Sequence, residues 1–123
     1  MVEFAISAIL LLTIVFFIIE FSQATWRYNT IASLAKDAAR YASMHGSSSG
    51  SPVDSAAVQT YVNARSQGID VIVRTSWPDG GTDPKVAGKR VEVRVETAFT
   101  PQTTLIPHAT LNMHSTAQLV IAR

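Results

Sequence analysis

The chain has no cysteine among its 123 residues. This excludes disulfides and thiolate metal sites but leaves the compartment open, since extracytoplasmic proteins also dispense with cysteine. Net charge is scarce too: ten basic and nine acidic residues, interspersed, leave a formal +1. No basic stripe is present to engage phosphates, so nucleic acid is excluded as a partner. Neither proline nor glycine occurs before Gly46, so nothing in the first third of the chain breaks a helix. At this length one small domain with one modest core is the most that can be built.

The chain opens MVEFAISAILLLTIVFFIIEFSQATW, with sixteen uncharged residues, Phe4 to Ile19, between Glu3 and Glu20. As a helix this run is about 24 Å long, short of the roughly 30 Å hydrocarbon core of a bilayer. Extending it to Ala24 spans the membrane but immerses Glu20, and a carboxylate in hydrocarbon must be neutralised or find a partner. Residues 1–24 therefore read as a hydrophobic helix and 25–123 as a head. A secretory signal peptide is the alternative, with Ser22-Gln23-Ala24 as cleavage site and a mature start at Thr25, but it lacks a basic n-region. The nearby basic residues, Arg27, Lys36 and Arg40, follow the run. Positive-inside logic then places the head in the cytoplasm, unless a basic leader once preceded Met1.

Helical character continues past the run. Ala24, Ala32, Ala35, Ala38, Ala39 and Ala42 favour helix, which predicts one element of about 44 residues, roughly 65 Å long. In its second half Tyr28, Ile31, Ala35, Ala38 and Ala42 recur at steps of three and four, with Ser33, Lys36, Arg40 and Ser43 on another face. Small alanines on that stripe admit a sheet at close range. Trp26 and Tyr28 suit either a membrane interface or the head. Gly46, in a Gly/Ser loop, is placed for a left-handed C-cap. Ser51 as N-cap and Pro52 at the first turn predict a second helix from Pro52 to Arg65, with Ala57, Val58, Tyr61 and Val62 inward.

Three stretches alternate with period two: Ile69 to Trp77, Arg90 to Phe99, and Ala109 to Ile121 with Leu111, Met113, Ala117 and Leu119 on the apolar side. One apolar face each indicates an antiparallel sheet covered on one side, and the amphipathic half of the long helix is the available cover. Turn chemistry from Pro78 to Pro84 and a longer link from Pro101 to Pro107 join the strands. The expected class is α+β: a long N-terminal helix on a sheet of about three strands, plus one short helix.

No catalytic constellation emerges, so the expected protein is not an enzyme and needs no cofactor. His45, His108 and His114 lack metal-ligand spacing and read as surface residues. Ser47-Ser48-Ser49 has neither a nucleophile elbow nor a base. Asp79 and Asp83 flank Gly80-Gly81 and read as a turn rather than a calcium loop, whose acid density they do not reach. Arg90, Glu92, Arg94 and Glu96 form a ladder suited to cross-strand pairing on a solvated face.

The early acid, the apolar run and the helix continuing under a small sheet resemble the type IV pilins and pseudopilins. More narrowly, Val2-Glu3-Phe4-Ala5 before an aliphatic run and Ile18-Ile19-Glu20-Phe21 at its end resemble the TadE-like family of pilus assembly proteins. The resemblance covers about the first 45 residues and is architectural beyond them. It implies insertion in the inner membrane, trimming by a prepilin peptidase, and polymerisation by pilus assembly machinery with copies of itself or homologous pilins into a helical filament on the cell surface, with roles in adhesion. Glu3 then sets register by neutralising a neighbour's N-terminal amine, with Glu20 as a second assembly residue. Phe4, Ile6, Ile9, Leu10, Leu12, Ile14, Phe16, Phe17, Ile19 and Phe21 supply the filament core. Pilins usually carry the acid two places later than Glu3 stands here, so either two residues are missing from the start or the processing site differs. A non-polymerising bitopic protein with an extracytoplasmic binding or scaffolding head fits the same pattern.

Overall fold

The computed structural model describes residues 1–102 and 109–122. The link through Pro107, His108 and the final Arg123 fall wholly or largely outside them. With no residue to interrupt it, α1 runs unbroken from Val2 to Met44. It is followed by α2 (Ser55–Asn63), β1 (Ile72–Ser76), β2 (Arg90–Phe99) and β3 (Leu111–Val120). The strands form one antiparallel sheet in the order β1-β2-β3. Val73 lies opposite Val95 and Val93 opposite Ala117, so the apolar positions stack on one face. The expected α+β class is therefore what the chain adopts.

The second half of α1 lies on that apolar face. Ile31, Ala35, Ala38 and Ala39 are fully buried, and so are Val91, Val93 and Val95 of the central strand. Alanine on the helix allows close approach, and the valines fill the space between backbones; burying each valine contributes about 1.5–3 kcal/mol before entropy is counted. Val58 and Val62 of α2 close one flank of the core.

Several local expectations are corrected. Ser51 and Pro52 do not start α2; Val53 is buried, its N–H donates to the His45 carbonyl, and Asp54 is the N-cap with extended backbone. Tertiary burial of Val53 overrides the local cap signals. His45, not a left-handed Gly46, caps α1, at φ −118°. Tyr28 is exposed, whereas Ser43 is buried and its carbonyl accepts the Ala122 N–H at 2.9 Å. β1 begins at Ile72 because the Asp70 carbonyl accepts the Thr97 hydroxyl at 2.7 Å instead of joining the ladder. Leu111 and Leu119 remain exposed, since β3 is an edge strand.

Candidate functional site

The first half of α1 stands apart from the head. Phe4, Ile6, Ile9, Leu10, Leu12, Ile14, Phe16, Phe17, Ile19 and Phe21 are all exposed, from 80% at Phe4 to 43% at Phe16. The helix is long and apolar enough to cross a membrane, and its most apolar stretch is covered by none of the described residues. Three of the hydroxyls along it are satisfied by its own carbonyls. Thr13 donates to the Ile9 carbonyl, Ser22 to Ile18 and Thr25 to Phe21, each at 2.8 Å. A helix whose polar groups are satisfied internally is the form that tolerates an apolar surround. An all-round apolar surface of this size has only two stable environments, lipid or other apolar helices.

Two acids bracket this surface. Glu3 is exposed in the first turn of α1, at the positive end of the helix dipole, where a carboxylate is favoured. Glu20 is buried, 6% exposed, between Ile19 at 46% and Phe21 at 66%. It is the first buried side chain of α1, and the next is Ile31, where the packed half begins. Arg27, one of the basic residues that follow the run, lies 5.1 Å over the Phe99 ring of its own chain.

Residues 1–40 match the family of TadE-like proteins. The match spans the uncovered half of α1 and most of the half that packs on the sheet, and leaves α2 and the strands outside it. No curated protein and no solved structure matches the chain. The TadE-like segment and the uncovered apolar helix together point to a membrane-anchored protein associated with a Tad pilus.

In the head, the remaining candidates are accounted for by packing. The Asp79 carboxylate binds Arg90 through both main chain and side chain, and Arg90 holds it below the usual carboxylate range. Asp83 Oδ1 accepts the Lys85 N–H at 3.0 Å. The Lys89 ammonium donates to the carbonyls of Gly80 at 2.6 Å and Asp83 at 2.8 Å. The loop oxygens thus hold a cation that the chain itself supplies, a lysine that no motif singles out. No group of three or more His, Cys, Asp or Glu side chains suited to a metal occurs among the described residues.

His45 donates from Nδ1 to the Tyr41 carbonyl at 2.8 Å, and the Tyr41 ring stacks on Tyr61 at 4.2 Å. The first contact closes the end of α1 on itself, and the second fastens α1 to α2. On the outer face of the sheet Arg74 lies directly opposite Arg94, a repulsive placement offset by Glu96, which reaches Arg94 at 2.8 Å and Arg74 at 3.6 Å. Glu92 pairs with Gln118 across the next ladder. A shallow depression of about 830 Å³ beside this ladder is bounded by Ser66, Asp70, Arg94, Glu96 and His114.

Proposed function

We propose that this chain is a non-catalytic structural subunit, a major or minor pilin, of a Tad-type pilus that polymerises through the first half of α1. The observation that carries the reading is the uncovered apolar surface from Phe4 to Phe21 on a helix whose second half is fixed to a folded head. Before assembly that surface sits in the inner membrane; after processing by a prepilin peptidase and extraction by the assembly machinery it packs against the same surface of other pilins. The head then faces outward on an extracellular filament, where it serves attachment.

Glu3 sets the axial register. A carboxylate inside an apolar bundle is costly unless paired, and a neighbour's N-terminal ammonium is a partner at the right end of the helix. Glu3→Ala is therefore expected to leave the protein in the membrane fraction and to remove it from sheared pili. Wild-type amounts of Glu3→Ala protein in sheared filaments would overturn this role. Immuno-electron microscopy with antibody to the head separates polymerisation from a scaffolding role in the membrane, which labels envelopes and not filaments.

A further inference from the structure

The two edges of the sheet are treated differently. Along β1 the outward N–H of Val73 donates to Gln59 Oε1 at 2.8 Å, and Gln59 Nε2 donates to the Val71 carbonyl at 3.2 Å. One amide side chain from α2 thus does at Val71 and Val73 what an added strand would do, and blocks that part of the edge. Along β3 the Ile121 N–H turns inward to the Lys89 carbonyl at 2.8 Å, whereas the Ala122 N–H turns outward to Ser43. By the alternation of an antiparallel ladder, the N–H and C=O groups of Asn112, His114, Thr116, Gln118 and Val120 also turn outward. No described residue supplies them with a partner. The ten residues from Leu111 to Val120 include no proline and no Lys, Arg, Asp or Glu, the usual guards of an exposed edge.

We propose that the β3 edge accepts a strand from a second, non-identical protein. A second copy of this chain is disfavoured by symmetry. Arg27 near the middle of α1 lies over Phe99, which pairs with Leu111 at the start of β3, while Ser43 near the end of α1 holds Ala122 at the end of β3. β3 therefore runs in the same sense as α1. Antiparallel pairing of two β3 edges needs a two-fold axis perpendicular to the sheet, which turns the two apolar helix halves in opposite directions, so that they cannot enter one membrane from one side. Parallel pairing about a two-fold along the strand sets like residues side by side with side chains on opposite faces, against the pleat. Translation of β3 onto the next copy's β1 meets Gln59.

The partner strand is specified by the faces it must continue. Beside Met113, Ser115 and Ala117, on the helix side, it carries apolar or small residues; beside His114, Thr116 and Gln118, on the open side, neutral hydrogen-bonding ones. The proposal goes beyond the pilus reading and uses only membrane anchorage from it, so it stands whether or not the chain polymerises.

Hydrogen exchange of the full chain in detergent micelles tests the free edge. The amides of Asn112, His114, Thr116, Gln118 and Val120 are expected to exchange roughly tenfold or more faster than those of Met113, Ser115 and Ala117. Equal protection of both sets overturns the proposal. A photoreactive residue placed at Thr116 in the full chain, in membranes of cells that make it, tests the occupant by mass spectrometry of the joined peptides. The expected adduct is to one segment of a different protein with the alternation above, lost in Gln118→Pro, which removes an outward N–H together with the side-chain bond to Glu92. Where Gln118→Pro lowers the Tm, His114→Lys replaces it, since it keeps every main-chain group and adds a charge to the edge. An adduct to another copy of this chain, to lipid only, or none at all overturns the proposal.

Discussion

Asp79 holds Arg90 at two levels: its Oδ2 accepts the Arg90 N–H at 2.7 Å while its Oδ1 accepts from the guanidinium Nη2 at 2.6 Å. The first bond fixes where β2 begins and the second anchors the preceding loop to it. Arg90 lowers the Asp79 pKa, and Lys85 lowers that of Asp54. A carboxylate whose folded pKa is depressed contributes stability that is present above the ordinary value near pH ~4 and lost as the pH falls through the lower folded value. Thermal unfolding followed by circular dichroism should therefore show a Tm that falls on acidification below about pH 4, and Asp79→Asn should flatten that limb. Both pairs are solvent-exposed, so salt should shrink the effect.

Ala38 is fully buried where α1 meets the sheet. Ala38→Leu forces the helix away from Val93 and its neighbours and is expected to cost about 1–3 kcal/mol, read by chemical denaturation of the full chain in detergent. Ile31→Ala leaves a cavity instead, at about 2–5 kcal/mol. Leu12→Ala, on the uncovered half, should leave head stability unchanged and report only on membrane or filament packing.

Removing the Gln59 amide exposes the β1 edge. Gln59→Ala is expected to lower stability by about 1–3 kcal/mol, because the Val73 N–H and Val71 carbonyl lose their partner. It should also promote concentration-dependent association, seen by light scattering, by opening the head-to-tail route that Gln59 blocks.

Calcium is expected to leave the Tm of the wild-type head unchanged, because Lys89 already occupies the Gly80 and Asp83 carbonyls. Lys89→Met should lower the Tm. A calcium-dependent rise in the wild type would show that the loop oxygens are available to an added ion.

The long helix and β2 were legible because their signals are dense: no breaker for 43 residues in one, strict alternation over ten residues in the other. Where local signals competed with burial, burial prevailed. Ser51-Pro52 has the chemistry of a helix start, yet Val53 enters the core and delays α2 to Ser55. Ser43 looked solvent-facing by type, but the returning end of β3 covers it. Of the site, the apolar surface and its bracketing acids could be read directly. The burial of Glu20 and the role of Gln59 at the β1 edge could not, since a carboxylate at the end of an apolar run does not announce burial and a helix glutamine does not announce a bond to a strand 14 residues on.

The absence of any hinge between the apolar run and the head has a mechanical consequence. A pull applied to the head is carried to the membrane or filament end along a single hydrogen-bonded rod, with no slack to take up and no joint to bend. Because the last turn of that rod is bonded to the end of the final strand through Ser43 and Ala122, and strand and helix run in the same sense, the load between them acts in shear along the packed apolar face rather than peeling it from one end. The head is mounted as a fixed bracket, and force on it becomes force on its anchor.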